Sequence, residues 1–338
     1  MTTPPPHARV SDTQDTLTSA VRPAPGSDHP VCVIGPLFLD VVMTGLRHAP
    51  RPGEEQWVDQ CAIMAGGCAN QAVALARLEL PVTLRSYLGT DQAGRLVRTH
   101  LEAEDIDLGS CPEVPTQSVT VSLSFDGDRA MTTAGSDESP TLDGVQTTPS
   151  AVVADLRAVE TGRAALEHWS TQAHPPVVLG DVGWDDTERW DPADLDPLDL
   201  VHVFVPNEVE AQRYTRTRSP HDAARALAER VPLAVVTCGP QGVVAVSEGQ
   251  EISLPAAPVT PLDPTGAGDS FSAGLLWGLA HRLSLRGALS FASLTAACTL
   301  RAPGGSANAP RLPHVAQLAR SLELPDGYDL SFLDLISS

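Results

Sequence analysis

The chain contains no lysine, and all 22 of its Lys and Arg positions are arginines. That absence excludes three chemistries, because a Walker P-loop, a Schiff-base enzyme and the lysine–glutamate pair of protein kinases each need the missing amine. Positive charge is also scarce. Against 42 Asp and Glu, the arginines leave a formal net charge of -20, so a nucleic-acid backbone or an anionic membrane surface is a poor partner. The six cysteines, Cys32, Cys61, Cys68, Cys111, Cys238 and Cys298, form no C-x-x-C pair, which leaves no zinc or redox motif in view. Cys32 and Cys238 lie in apolar runs, where a free thiol behaves as a small hydrophobe, and the set points to a reduced, cytoplasmic protein. Residues 1–30 carry no long apolar run and are rich in Pro, Thr, Ser and Asp, which predicts a disordered tail rather than a signal peptide or membrane anchor. What remains is 338 residues, 42% of them hydrophobic, enough to bury a sizeable core as one large α/β domain or two ordinary ones.

The stretch from Thr260 to Leu279 concentrates the most chemistry. Pro264 stops a strand and biases Asp263 to an extended shape, while Gly266 and Gly268 admit backbone angles and approaches that a side chain would block. Beyond them Phe271, Leu275, Leu276 and Leu279 recur at helical spacing, with Ala273, Gly274 and Gly278 small enough for close packing. A helix therefore starts at the glycines, and its unpaired N–H groups make Gly266, Ala267 and Gly268 a candidate anion cradle. Asp269 follows directly. It is either a helix cap or a general base beside a transferring phosphoryl group.

Asp263-Pro-Thr-Gly-Ala-Gly-Asp269, continued by Ser270-Phe-Ser-Ala-Gly274, resembles the C-terminal signature of the ribokinase-like, or PfkB, family of carbohydrate kinases. The resemblance implies that Gly266, Ala267 and Gly268 form the anion hole and that Asp269 is the catalytic base. It also implies a three-layer α/β/α sandwich with a mainly parallel central sheet and a small β-strand lid. Ala65-Gly-Gly-Cys-Ala-Asn70 and the helix after it are similar to the family's N-terminal pattern, which makes Gly66, Gly67 and Asn70 ligands for sugar hydroxyls. Leu88-Gly-Thr-Asp-Gln-Ala-Gly94 fits a further family element. Asp40, from the residues alone a solvated loop carboxylate, becomes a sugar ligand by the same resemblance. Ribokinases carry Asn two residues before that Asp; Phe38 stands there in this chain and counts against ribose itself.

The rest of the chain supplies the remaining parts in order. Val31–Ile34 is a continuous apolar run, the pattern of a buried strand opening onto a loop, and the kinase domain is expected over residues 31–338. Glu54–Met64 and the alternating Ser118–Phe125 read as strands, the latter followed by an Asp126-Gly127 hairpin turn into Arg129–Thr133. The family's lid is therefore expected at about residues 47–65 and 115–135, and a homodimer through it. Ala151 to Trp169 suggests a helix. Val177–Leu179, Leu200–Val205 and Ala234–Val236 alternate with helical segments such as His221–Arg230, the pattern of a parallel sheet covered on both faces. Asn207 and Glu210 match the family's N-x-x-E element, near magnesium and phosphate, although Asn207 could equally cap a helix. Thr237, Gly239 and Gly242 resemble a loop that contacts ATP. Asp263 and Thr265 match positions that hold a monovalent cation, and Arg301–Pro310, with Asn308, resembles the loop that completes that site and flanks adenine.

Together these imply an ATP-dependent kinase acting on a primary hydroxyl of a small sugar, with Mg2+ and potassium. A nucleoside kinase on the same fold, with Phe38 or Trp57 against the base, and a non-catalytic sugar- or nucleotide-binding protein are the alternatives.

Overall fold

Val31–Ile34 forms β1, whose four residues are all buried, and every later parallel strand is laid down beside it or beyond. In the computed structural model, residues 29–336 are described except 59, 126–127, 184, 186 and 303; nearly all of the expected tail and the expected hairpin tip lie outside the described residues. After β1 come β2 (Leu37–Thr44), β3 (Gln60–Gly67), α1 (Ala69–Arg77), β4 (Val82–Arg85), β5 (Leu88–Gly89), α2 (Gln92–Glu102), β6 (Glu113–Val114), β7 (Ser118–Phe125) and β8 (Asp128–Ala134). The chain continues through β9 (Ala151–Asp155), α3 (Leu156–Thr161), α4 (Arg163–Ser170), β10 (Val177–Asp181), β11 (Val203–Phe204), α5 (Glu208–Thr215) and α6 (Pro220–Ala228). It ends with β12 (Leu233–Thr237), β13 (Val243–Ser247), β14 (Gln250–Leu254), α7 (Ala267–Ala280), α8 (Leu285–Thr299), α9 (Leu312–Ser321) and α10 (Phe332–Ile336).

The large sheet has eight strands in the order β14-β13-β12-β11-β10-β9-β1-β4. It is parallel from β4 to β12, and β13 and β14 close one edge as an antiparallel hairpin. Because side chains alternate along a strand, residue parity divides two cores. Val33, Val153, Leu179 and Val235 face α1, α2 and α7 to α10; Cys32, Ile34, Val152, Val178 and Val236 face α3 to α6. Both faces are covered, so the strands are continuous apolar runs. Helix α7 is buried around its whole circumference from Ser270 to Leu279. A Cβ on Gly274 or Gly278 would lie 2.8 or 2.7 Å from the Cα of Ala292 or Ala288 on α8, so the absent side chains let the two helices touch backbone to backbone. Phe291 stacks on Trp277 and meets Phe332 edge-on; burying each such ring contributes about 1.5–3 kcal/mol and holds α10 against the core. Among the described residues no helix is long and apolar enough to cross a membrane.

A second sheet of four strands, β3-β2-β7-β8, forms the lid. It departs from the sequence expectation in two places. Gly35–Asp40 was expected as a loop, whereas β2 runs from Leu37 to Thr44, pairs antiparallel with β3 and parallel with β7, and is one of the lid's two inner strands. The strand expected over Glu54–Met64 starts only at Gln60, leaving Trp57 outside it and 87% exposed. A third difference lies in the main sheet. The helix expected from Ala151 begins at Leu156, and Ala151–Asp155 is the strand between β1 and β10. Short apolar runs cannot be divided between strand and helix by periodicity; here burial on both faces favoured the strand, and Asp155 then caps α3 by accepting from the Ala158 N–H at 2.7 Å.

Candidate active site

The parallel strands end along one edge, and the polar groups collect there as they do in open α/β sheets. Asp155 and Asp181 close β9 and β10 in direct register. Asn207 follows β11 and forms an isolated parallel bridge with Thr237 at the end of β12. The glycine turn before α7 belongs to the same neighbourhood, since the charge of Asp269 acts on Asp181. It also acts on Cys68, the residue before α1. The charge of Asp269 therefore reaches both the β3–α1 turn and the strand-end carboxylate Asp181.

Local chemistry explains the glycine turn. The Ala267 N–H donates to the Pro264 carbonyl at 3.2 Å, and Gly266, at φ 75 and ψ 4, occupies the position of a type II turn that needs a left-handed residue. Within the expected cradle, Ala267 directs its N–H into the turn, while the N–H groups of Gly266 and Gly268 take no part in that bond. A Cβ on Gly268 would meet nothing within 4 Å, so the space above the first turn of α7 is open. Asp269 occupies the third helical position, and Gly266 makes no side-chain cap.

Asp263 binds this turn to a second loop. Its Oδ1 accepts from the Thr265 N–H at 2.9 Å and from the Thr265 hydroxyl at 2.6 Å, and its Oδ2 accepts from the Gly304 N–H at 2.9 Å. The second loop then presses close: a Cβ on Gly305 would fall 3.1 Å from Asn70 Oδ1 and 3.2 Å from Thr265 Cγ2. Asn308 ends the 3-10 turn Gly305–Asn308 of this loop.

On the lid side, Asp40 shares a cross-strand row with Met64, Thr120 and Thr133. The hydroxyls of Thr120 and Thr133 are 2.9 Å apart. A Cβ on Gly66 would lie 1.9 Å from Asp40 Oδ2, so the carboxylate rests directly on the Gly66 backbone. Gly67, at φ 65, leaves room for the Pro36 carbonyl and the Phe38 ring. Asn70 falls in the first turn of α1.

On the other side, Asn207 Oδ1 accepts from the Val209 and Glu210 N–H groups at 2.9 and 3.0 Å, and Glu210 Oε2 accepts from the Asn207 N–H at 2.9 Å. This is a reciprocal capping box that uses only one carboxylate oxygen of Glu210. Burial raises the pKa of Glu210 above its usual value. Asp181 is pushed well above the carboxylate range, first by burial and then by the charge of Glu210. Two buried carboxylates that repel one another suit a divalent cation, although among the described residues no three His, Cys, Asp or Glu side chains converge on one point. Gly239 has φ 51 and an open Cβ direction, whereas a Cβ on Gly242 would strike the Leu254 carbonyl at 2.0 Å; the second glycine is needed by its own chain. Asp181 and Asp155 were not singled out from the sequence. Their signal was the acidic residue ending each apolar run.

The comparisons with known proteins agree with this architecture. The pfkB family carbohydrate kinase profile matches residues 28–312. The ribokinase of Bacillus subtilis is 28% identical over 290 residues, covering 81% of this chain and 95% of its own, and the fructokinase of Klebsiella pneumoniae is 31% identical, covering 80% and 95%. The structure of Arabidopsis thaliana ribokinase complexed with ribose and ATP superposes with a TM-score of 0.67 at 22% identity, over 86% of this chain and 98% of that one. A lid of strands over a mainly parallel α/β/α sandwich, with the profile matched across nearly the whole of it, makes this protein a member of the pfkB family of carbohydrate kinases and an ATP-dependent carbohydrate kinase.

Proposed function

We propose that this kinase transfers the terminal phosphoryl group of ATP to a primary hydroxyl of a small, uncharged sugar, with Asp269 as general base. The observation that carries the proposal is the first turn of α7, where Asp269 follows a glycine whose side-chain direction is empty. A sugar hydroxyl presented there gives its proton to Asp269 as its oxygen attacks phosphorus in line, the bond to the leaving oxygen of ADP breaks, and the N–H groups of Gly266 and Gly268 meet the charge on the moving group. Each such donor is worth about 3 kcal/mol of barrier. Asn207, Glu210 and Asp181 are the residues that would hold Mg2+, largely through water. When bound, that ion neutralises charge on the phosphates. Thr237 and Gly239 border the space for the nucleotide. Asp263 and Thr265, with the loop carrying Asn308, form the proposed site of a monovalent cation such as potassium.

The sugar is proposed to lie under the lid on Asp40, Gly66, Gly67 and Asn70. Its neutrality is supported by the row Met64, Asp40, Thr120 and Thr133, which offers hydroxyls and a carboxylate but no arginine. A nucleoside base finds less support, because Phe38 packs on Gly67 and Trp57 points into solvent. ATP consumption with Mg2+ and potassium should be measured against pentoses, ketohexoses, aldohexoses, sugar acids and nucleosides. Turnover of free neutral sugars is expected; turnover confined to nucleosides or sugar acids, or none at all, would overturn the proposal.

The outer face of the lid supports a homodimer. Val41, Ile63 and Val121 lie in one cross-strand row, with Ile63 and Val121 exposed, which is an apolar strip that a second copy could cover. Light scattering should give twice the mass of the chain, and Ile63→Lys should halve it.

A further inference from the structure

We infer that Arg77 is a positioning residue for the nucleotide, acting through the main chain of the Gly304–Ala309 loop. The inference builds on the proposed site, because that loop lies against the glycine turn. A Cβ on Gly266 would come within 3.1 Å of Gly305 Cα, and the Gly304 N–H is held by Asp263. Gly304 and Gly305 have φ values of 113 and 45, so the loop enters through two residues with little conformational preference of their own. Something else must define its path.

Arg77 supplies that constraint. Its Nη1 donates to the carbonyls of Ala307 at 3.0 Å and Ala309 at 2.7 Å. Its Nε and Nη2 donate to Glu104 Oε1 at 3.0 and 2.6 Å, and Glu104 Oε2 accepts from Arg311 Nη2 at 3.0 Å. Glu104, in the turn just after α2, thus anchors two arginines, one gripping the loop and one just beyond it. Burial of Glu104 opposes its ionisation, yet the two guanidinium groups prevail and keep its pKa below the usual value. Only a planar fork that stays charged can serve a carboxylate and two carbonyls at once.

The position of Arg77 adds a second property. It closes the helix whose first turn carries Asn70, and the loop runs alongside α1, with Gly305 beside Asn70 and Ala309 beside Arg77. The sugar end and the nucleotide loop are therefore seated on one rod about 10 Å long. Loosening the Arg77 end lets the loop shift relative to the glycine turn while Asn70 stays in place.

The test compares Arg77→Met, Arg77→Lys and Glu104→Gln with the parent enzyme, using Mg·ATP binding by calorimetry and the KM values for ATP and for the preferred sugar. Arg77→Met is expected to weaken Mg·ATP binding and raise the KM for ATP about tenfold, with the KM for the sugar within twofold. Arg77→Lys should recover part of the loss, and Glu104→Gln should fall between parent and Arg77→Met. Unchanged Mg·ATP affinity in folded Arg77→Met would overturn the inference, as would equal increases in both KM values. If Arg77→Met does not fold, Glu104→Gln decides alone, and parental Mg·ATP affinity in it is the overturning result. The site on which the inference builds is tested separately: turnover by Asp269→Asn would discard that site whatever Arg77 does.

Discussion

Gly66, near the end of the strand that leads into α1, and Gly268, in the first turn of α7, both border the candidate site, yet the space a side chain would need is filled at one and empty at the other. At Gly66 the place of the Cβ is taken by the Asp40 carboxylate, and at neighbouring Gly67 by the Pro36 carbonyl and Phe38. At Gly268, its own turn of helix apart, no atom of the described residues lies within 4 Å of where a Cβ would stand, and its φ is not in the left-handed range. The protein itself explains the first pair of glycines. The second has no such neighbour, which fits the proposed approach of a phosphoryl group to the backbone at this helix N-terminus.

Three experiments would break or sharpen that contrast. Asp269→Asn should have the largest effect, a loss of turnover of about a thousandfold, with cooperative unfolding and Mg·ATP affinity kept; unfolding in its place would assign the residue to the helix start. Gly268→Ala should act on activity and stability in opposite directions. Alanine suits a helix better by about 0.5–1 kcal/mol, so the melting temperature should hold or rise, while a methyl group in the open space should cut turnover about a hundredfold. Equal turnover would remove the ligand explanation for this glycine. Gly66→Ala should do the reverse, costing about 1–3 kcal/mol of stability through overpacking against Asp40 and raising the KM for the sugar, both measurable on the purified variant.

The smallest effect is expected at the opposite edge of the sheet, before β11. His202 Nδ1 accepts from the Val178 N–H at 3.1 Å, and burial lowers the pKa of His202 below its ordinary 6.5. The unfolded chain then takes up a proton before the folded one does. The contribution of His202 is complete above about pH 6.5 and is lost as pH falls below it, at no more than about 1.4 kcal/mol per pH unit. Thermal unfolding from pH 7.5 to 5.5 should show this slope in the parent and a flatter one in His202→Asn, with turnover at pH 7.5 the same in both.

The glycine turn, α7 and several of the parallel strands were legible because each rests on neighbours in sequence: a proline, two glycines, a helical repeat, an apolar run of strand length. The N-x-x-E element was legible twice over, since Asn207 and Glu210 form the capping box that their spacing allows while the charge of Glu210 also acts on Asp181. The strand at Asp40 was less visible. Leu37–Thr44 has no turn residue to separate it from β1 except Gly35-Pro36, and what makes it a strand is pairing with Gln60–Gly67 and Ser118–Leu123.

The sequence by itself determined the family, the helix beneath the candidate site and the carboxylate at its start, because those depend on backbone chemistry within a few residues. Tertiary structure decided which glycines the chain needs for itself, which carboxylates meet, and that Arg77 reaches a loop 230 residues further on. The physical reason is the same in each case. Burial, repulsion between charges and the filling of a Cβ position are properties of space, and residues distant in sequence acquire them only when the sheet brings their strand ends to one edge.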